Sequence, residues 1–162
     1  MDFATLVPIM GTIWNMDSGE DCCSKMITLR TGDGSTVNFI VTQETVVINS
    51  RQLRPGMRIA AFYDSSLPVP LIYPPQYRAQ LVTVLGRNEQ IMLNYFDSSL
   101  TATDGSLRLN LERTTNIETI NGQEFTCDLG NQPLLVYYTE TTRSIPPQTT
   151  PRRIVVLCGR GF

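Results

Sequence analysis

Few side chains in this 162-residue chain could carry out catalysis. Histidine is absent, which removes the usual general base near neutral pH and every nucleophile that an imidazole activates. Lys25 is the single lysine and falls in a predicted surface turn, whereas Schiff-base chemistry requires a buried lysine. The remaining catalytic chemistry would have to rest on carboxylates.

The aspartates fall in or beside predicted turns. Asp33 and Asp104 lie in glycine turns, while Asp64, Asp97 and Asp128 follow predicted strands. Aspartates in such places accept hydrogen bonds from the backbone of their own turn. A glycosidase instead needs two carboxyl groups facing each other across a cleft, which sequence spacing does not establish. A carboxylate-based hydrolase is therefore the weakest of three functional hypotheses, and we expect no enzyme.

The four cysteines do not have the spacing of a metal site. Cys22 and Cys23 are adjacent, Cys127 and Cys158 stand alone, and structural zinc sites present ligands in pairs about two to four residues apart. We expect Cys127 and Cys158 to be buried, and Cys22 and Cys23 to form a turn pair that is open to oxidation or to a soft metal. The sequence also lacks a phosphate-binding glycine loop and a dinucleotide fingerprint, so no cofactor and no structural metal are predicted.

The charge balance argues against a partner that is attracted by the net charge of the whole protein. The 13 basic and 15 acidic residues leave a formal net charge of −2, so no overall cationic field attracts nucleic acid or anionic lipid. No apolar run approaches the roughly 18 residues that span a bilayer, and the N-terminus lacks the features of a secretion signal. We expect a soluble cytoplasmic protein with no membrane association.

The elements that position these residues read as short strands separated by turns. Met26–Arg30 and the alternating Val37, Phe39 and Val41 flank a glycine turn, which predicts a hairpin. Leu107–Glu112 alternates leucine with polar residues, which predicts a strand with one wet face. No helical stripe exceeds about ten residues, so the predicted fold class is all-β.

The chain also matches itself at a nearly constant offset, as a duplicated supersecondary unit would. Upstream matches lie at offsets of 70 or 71, and the matches around the proline pairs lie at 72. The matched segments are Asp33-Gly34-Ser35 with Asp104-Gly105-Ser106, Phe39 and Val41 with Leu109 and Leu111, Thr45 and Val47 with Thr115 and Ile117, Tyr73-Pro74-Pro75-Gln76 with Ile145-Pro146-Pro147-Gln148, and Val82–Leu85 with Ile154–Leu157.

Each copy then contains five predicted strands, the first of them bent at a glycine, Gly11 or Gly86. This plan resembles the OB-fold, a small five-stranded barrel, at the level of architecture. The resemblance implies two tandem repeated five-stranded OB-like barrels, over residues 1–85 and 86–162, fused through a shared or continuous strand at 81–88. In the alternative arrangement, the two copies complete one larger sheet.

The most unusual segment is the loop at 67–77, which holds four of the ten prolines. Proline makes a loop rigid, and its Tyr73-Pro74 bond is predicted to be cis. In OB-like barrels the corresponding loop borders the ligand groove. The alternative is that the loop caps a barrel end or packs against the neighbouring copy. The candidate binding residues on and near the loop are Trp14, Tyr63, Leu71, Ile72, Tyr73, Tyr77 and Arg78.

The leading functional hypothesis is a non-enzymatic binding or structural module, which engages a partner protein or another copy of itself through the loop at 67–77. The alternative is single-stranded nucleic acid or oligosaccharide binding, by stacking on the aromatic side chains. The corresponding loop of the second copy, 139–147, is shorter and polar, so only the first copy is expected to carry a site.

Overall fold

The computed structural model describes residues 3–158, which divide into two compact units. The first unit holds residues 5–87, and the second holds residues 88–158 together with residues 3 and 4. Helical structure within the described residues is limited to the 3-10 turns at Phe3–Thr5 and Ile48–Ser50. None of it is long or apolar enough to cross a membrane. The all-β prediction is confirmed.

One seven-stranded sheet forms the first unit, in the order β4-β7-β5-β1-β2-β3-β6. The hairpin predicted around the turn at Gly34 is present, with Ile27, Leu29 and Phe39 fully buried. The strands are β1 (Leu6–Ser18), β2 (Lys25–Arg30), β3 (Thr36–Val41), β4 (Val46–Val47), β5 (Arg58–Asp64), β6 (Gln76–Arg78) and β7 (Leu81–Val84).

Strand β1 is long because it serves two neighbours. Leu6–Thr12 pairs with β5, and Thr12–Ser18 pairs with β2. A Cβ atom at Gly11 would lie 2.8 Å from the carbonyl oxygen of Arg30, so only glycine permits this close approach. The register then shifts between Ile13 and Asn15, which leaves the intervening Trp14 in a bulge.

The predicted count of five strands is wrong for the first unit. The expected fifth strand, Val82–Leu85, corresponds to β7, whereas β6 is an additional strand at the end of the loop at 67–77. The two are separate because the hydrogen-bond partner of the chain changes at Ala79 and Gln80. The Ala79 N–H donates to Ile40 of β3 at 2.9 Å, whereas the Gln80 N–H donates to Phe62 of β5 at 2.8 Å. The short β4 is a further addition, and the strand order of the described residues does not close into a barrel.

The second unit has a four-stranded sheet in the order β10-β13-β11-β8 and a separate β9-β12 pair. Isolated bridges join Phe96 to Ala102 and Thr101 to Arg108. The strands are β8 (Gln90–Phe96), β9 (Arg108–Leu109), β10 (Asn116–Thr119), β11 (Gln132–Tyr138), β12 (Gln148–Thr149) and β13 (Arg153–Val156).

Four of the six strand pairings of the first unit have a counterpart in the second. Strands β3 and β6 pair in parallel, as do β9 and β12, and the parallel pair β4-β7 has its counterpart in β10-β13. Antiparallel pairing of β5 with β1 and β7 is matched by pairing of β11 with β8 and β13. The register agrees as well, since Phe39 lies opposite Tyr77 and Leu109 lies opposite Thr149.

The strand predicted over 81–88 is not continuous. Strand β7 ends at Val84 and β8 begins only at Gln90, so Gly86 lies outside any strand. The intervening turn includes Asn88, whose φ of 60° is left-handed and cannot continue an extended strand. The alternative of one merged sheet is also wrong, because each sheet contains strands of one unit.

Two further predictions need correction in the second unit. Within the predicted strand Leu107–Glu112, only Arg108–Leu109 is extended. Leu107 and Leu109 are buried as expected, but Leu111 follows the end of β9 and is exposed. Cys127 and Cys158 are exposed rather than buried, because they lie in the loop before β11 and just after β13.

Candidate functional site

A pocket of about 340 Å³ opens beside the proline-rich loop, and all of its lining residues belong to the first unit. We call it the loop pocket. Its walls come from the end of β5, the first part of the loop, strand β6 and the turn after β1. The lining residues are Glu20, Ile40, Tyr63, Asp64, Leu67, Pro68, Val69, Pro70, Gln76, Tyr77, Arg78 and Gln80.

Two stacked tyrosines form the aromatic wall of the loop pocket. The rings of Tyr63 and Tyr77 lie 4.1 Å apart between centroids, at an interplanar angle of 22°. The Tyr77 ring also contacts the ring of the core residue Phe39, with centroids 5.7 Å apart, so the stack is anchored to the core. Burial raises the pKa of the Tyr63 phenol, and the neighbouring phenol of Tyr77 adds to this effect. Tyr63 is therefore neutral at physiological pH.

Strand β6 supplies a polar edge to the loop pocket. The carbonyl oxygen of Pro75 and the N–H of Ala79 both bond to β3. Backbone groups alternate in direction along a strand, so those of Gln76 and Arg78 point away from β3. Since β6 is the last strand in the sheet order, no strand among the described residues is hydrogen-bonded to this outward side.

Carboxylates give this region a negative charge. Glu20 and Asp64 both line the loop pocket. Asp64 accepts hydrogen bonds from the hydroxyl and the N–H of Ser66, at 2.7 and 3.0 Å. The hydroxyl of Ser66 is the main reason that the pKa of Asp64 is lowered, followed by a hydrogen bond from Thr5. Asp64 therefore stays ionised, and it lacks the raised pKa that a general acid needs.

A second pocket, of about 210 Å³, adjoins the loop pocket. The two share Glu20, Ile40 and Arg78, so they form one continuous groove. The adjoining pocket adds Asp21 and Glu44 to the charged groups of the groove. Four carboxylates thus face a single guanidinium, that of Arg78.

Only part of the predicted site is brought together. Tyr63, Tyr77 and Arg78 line the loop pocket, whereas Leu71, Ile72 and Tyr73 lie outside it at the exposed end of the loop. Leu71 is fully exposed and Tyr73 is 87% exposed. The predicted cis bond between Tyr73 and Pro74 is confirmed.

Trp14 does not belong to this site. Its bulge on β1 leaves the ring 59% exposed, and the guanidinium of Arg30 lies 3.7 Å from the ring centroid. This cation–π contact accounts for the exposed ring without a ligand.

The sequence did not indicate several residues of the loop pocket. Glu20 lies in the turn after β1, Gln76 lies on β6, and Gln80 lies between β6 and β7. Asp64 was noted only as a turn residue. The one signal that could have found Gln76 was its place beside the matched proline pairs.

The second unit has a pocket in the corresponding place, of about 300 Å³. Matched positions replace Tyr77 by Thr149 and Arg78 by Thr150, so no aromatic side chain lines it. Its lining residues are Asn110, Thr139, Glu140, Thr141, Thr142, Gln148, Thr149 and Thr150.

Cofactor and metal ligands are not gathered at either pocket. No group of three acidic or thiol side chains close enough to hold a metal ion is found within residues 3–158. Cys22 and Cys23 are exposed free thiols in the turn after β1, and only Cys23 touches the groove, in the adjoining pocket.

The turn aspartates behave as predicted. Asp33 accepts a hydrogen bond from the Ser35 N–H at 2.9 Å, and Asp104 accepts one from the Ser106 N–H at 3.0 Å. Asp128 does the same for the Gly130 N–H at 3.1 Å. Their carboxylates stabilise turns, so the residues are explained by local structure.

No family model matches the chain, and no curated protein matches it at a significant level. The function of the chain therefore has to be argued from the site itself.

Proposed function

We propose that the first unit is a non-enzymatic binding module, which engages a partner protein through the loop at 67–77 and the loop pocket. One observation carries this proposal: an exposed apolar loop end, with Leu71, Ile72 and Tyr73, lies beside a pocket with an aromatic wall. Contiguous exposed apolar side chains mark interaction surfaces, and aromatic residues are enriched at protein interfaces. The partner is another protein or a second copy of this chain.

The site favours binding over hydrolysis. Glu20 and Asp64 lie in the same pocket, as a two-carboxylate mechanism would require. Such a mechanism needs one carboxyl group with a raised pKa as proton donor, and the lowered pKa of Asp64 excludes Asp64 from that role. A volume of about 340 Å³ is also at the small end for a substrate cleft.

An oligosaccharide is the second candidate ligand. The stacked Tyr63 and Tyr77 offer an aromatic wall for a sugar ring, and Gln76 and Gln80 beside them can hydrogen-bond its hydroxyls. Single-stranded nucleic acid is less favoured, because the carboxylates of the groove repel phosphates. Tyrosine-ring NMR signals of Tyr63 would shift on titration with glycans if this candidate is right. Trp14 is no reporter, since it lies outside the groove.

We further propose that the two units are copies of one OB-like module. The matched parallel pairs β3-β6 and β9-β12, and the identical register at Tyr77 and Thr149, support a duplication. Strands β6 and β7 would then act as one bent strand that bridges β3 and β5, as the last strand of an OB-fold does.

We also infer a cytoplasmic location. All four cysteines are exposed and unpaired with one another, which fits a reducing compartment. Alkylation of protein from freshly opened host cells tests this, because extensive oxidation of Cys22 and Cys23 would contradict it.

Site-specific photo-crosslinking tests the binding proposal. Benzoylphenylalanine is placed at position 73 in one variant and at position 145 in another, and both are expressed in the native host. Ile145 is the matched residue of the second unit and is fully exposed, so it controls for random collision. We expect a discrete adduct at position 73 only. Adducts of equal yield at both positions, or none at 73, would overturn the proposal.

The identity of the adduct separates the two kinds of partner. An adduct of twice the mass of the chain, together with a dimer in sedimentation equilibrium, indicates self-association. An adduct of another mass indicates a partner protein, which peptide mass spectrometry then maps.

A further inference from the structure

The outer edge of β6 presents backbone N–H and C=O groups that are not hydrogen-bonded to another strand of the sheet. Gln76 and Arg78 direct their N–H and C=O groups away from β3, towards the groove. An edge strand of this kind is a template for pairing with another extended segment. Each end of the template borders the pocket, since both residues line it.

The second unit shows what the corresponding edge accepts. The Thr142 N–H donates to the carbonyl oxygen of Gln148 at 2.8 Å, and the Gln148 N–H donates to the Thr142 hydroxyl at 3.0 Å. The hydroxyl of Thr149 donates to the Glu140 carbonyl at 2.6 Å. Residues 140–142 therefore run antiparallel along β12, and Thr142 satisfies both outward groups of Gln148 through its N–H and its hydroxyl.

The loop of the first unit does not do the same. Within residues 5–87, no backbone hydrogen bond joins the loop at 67–75 to the outward side of Gln76 or Arg78. Its prolines at 68, 70, 74 and 75 have no N–H to donate. The edge that is covered in the second unit is therefore open in the first.

The charge of the groove selects the kind of segment that fits. Glu20, Asp21, Glu44 and Asp64 face one guanidinium, that of Arg78. An acidic segment would be repelled, whereas lysine or arginine side chains would be attracted. The aromatic wall formed by the stacked Tyr63 and Tyr77 can pack against an apolar side chain of the segment.

We infer that the occupant of the groove is an extended basic segment of the partner protein, which adds to β6 as an antiparallel strand. This inference rests on the proposed function and specifies its partner chemistry. Backbone hydrogen bonds to Gln76 and Arg78 supply affinity, and the carboxylates select cationic residues, as in other cases of strand addition.

The probe for this inference is the heptapeptide acetyl-Lys-Val-Lys-Val-Lys-Val-Lys-amide, which is extended and basic. We expect it to shift the backbone amide signals of Gln76 and Arg78 in NMR spectra and to slow their hydrogen exchange. Two control peptides carry N-methyl groups at alternate residues, in the two possible registers. The peptide whose methyl groups face β6 cannot pair with it and should bind at least about tenfold more weakly. A glutamate-for-lysine peptide should also bind at least about tenfold more weakly.

Two protein variants test the same edge. Gln76→Pro removes the outward N–H and leaves the bonds to β3 in place, whereas Gln76→Ala keeps the N–H. We expect the proline variant to lose most of the peptide affinity and the alanine variant to retain it. If the proline variant does not fold, the N-methylated peptides decide the question with the unaltered protein.

The outcomes separate this inference from the proposed function. A partner adduct at position 73, with no response of Gln76 or Arg78 to the basic peptide, overturns strand addition and leaves the binding module standing. Equal binding of the basic and glutamate peptides also overturns the inference. If neither adduct nor peptide response is found, both proposals are wrong.

Discussion

The two pockets have similar backbone surroundings but opposite surfaces. The loop pocket and its counterpart in the second unit measure about 340 and 300 Å³, and each is bordered by a parallel strand pair. The first presents aromatic rings and charges, whereas the second presents threonines whose hydroxyls bond within the chain. Similar backbone frames thus carry two different surfaces, and they differ in whether the loop is hydrogen-bonded along the edge strand.

One matched position accounts for much of the difference. Tyr77 stacks on Tyr63 and keeps the first pocket open and aromatic. Thr149 is buried, and its hydroxyl instead ties down the loop at Glu140. The same strand position thus serves a surface in one unit and an internal bond in the other.

The largest expected effect comes from making the first unit resemble the second at this position. Tyr77→Thr removes the stack on Tyr63 and the contact with Phe39, and we expect the free energy of unfolding to fall by about 2 kcal/mol. Urea denaturation measures the change. The matched control is Tyr73→Thr, which should change stability by less than about 0.5 kcal/mol because Tyr73 is exposed.

One outcome would contradict the contrast drawn between Tyr77 and Tyr73. If both tyrosine variants lose the same stability, the exposed end of the loop is as well packed as the pocket wall. The contrast between a fixed wall and a free loop end would then be wrong.

A smaller effect is expected at the threonine corner before β4 and β10, where the units agree. The Thr45 hydroxyl accepts a hydrogen bond from the Thr42 N–H at 3.0 Å and donates one to the Ala79 carbonyl oxygen at 2.8 Å. The Thr115 hydroxyl accepts a hydrogen bond from the Glu112 N–H at 3.4 Å and donates one to the Pro151 carbonyl oxygen at 2.9 Å. We expect Thr45→Ala to lower the free energy of unfolding by about 1 to 2 kcal/mol, and Thr115→Ala to lower it slightly less.

Serine variants are the controls for the threonine corner, because they keep the hydroxyl. Thr45→Ser and Thr115→Ser should retain most of the stability in denaturant unfolding. A loss at one corner only would argue that the shared pairing is coincidental. Similar losses at both would sharpen the case for a duplicated module.

The sequence predicted the all-β class and the first hairpin, because both depend on local alternation of apolar and polar residues. Ile27, Leu29 and Phe39 are buried as their period requires, and the matched Thr45 and Thr115 make matching bonds. Local alternation is sufficient to predict the buried residues, because it depends on neighbours close in the sequence. The threonine bonds join residues 34 and 36 positions apart, so only the match between the two copies indicated them.

What the sequence could not predict depends on contacts between distant residues. The open edge at Gln76 exists because the loop fails to cover it, and no local pattern reports a missing neighbour. Glu20 joins the site only because the end of β1 comes close to β6. The break after Val84 likewise depends on the left-handed Asn88, which asparagine permits but does not require.

The smallest expected effect lies in the two Asp-Gly-Ser turns, at Asp33 and Asp104. Hydrogen bonds from Thr31 and then from Ser35 lower the pKa of Asp33 from 3.8 to about 2, and the Ser106 hydroxyl lowers that of Asp104. A carboxyl group with a lowered pKa in the folded state stabilises the fold above its unfolded pKa. This contribution disappears as the pH falls from about 4 through about 2.

We therefore expect Asp33→Asn and Asp104→Asn each to flatten the dependence of unfolding free energy on pH between about 4 and 2, and to leave the slope above pH 5 unchanged. Urea denaturation across this range, with carboxyl-carbon NMR titration of both aspartates, measures the effect. Because both carboxylates are exposed, solvent screening keeps each change small. A titration midpoint of Asp104 at the ordinary value of 3.8, with Asp33 near 2, would show that the turns differ in their hydrogen bonding despite their identical sequence. The likeness of the two units would then stop at the strands, because a turn that repeats in sequence would not repeat in its electrostatics.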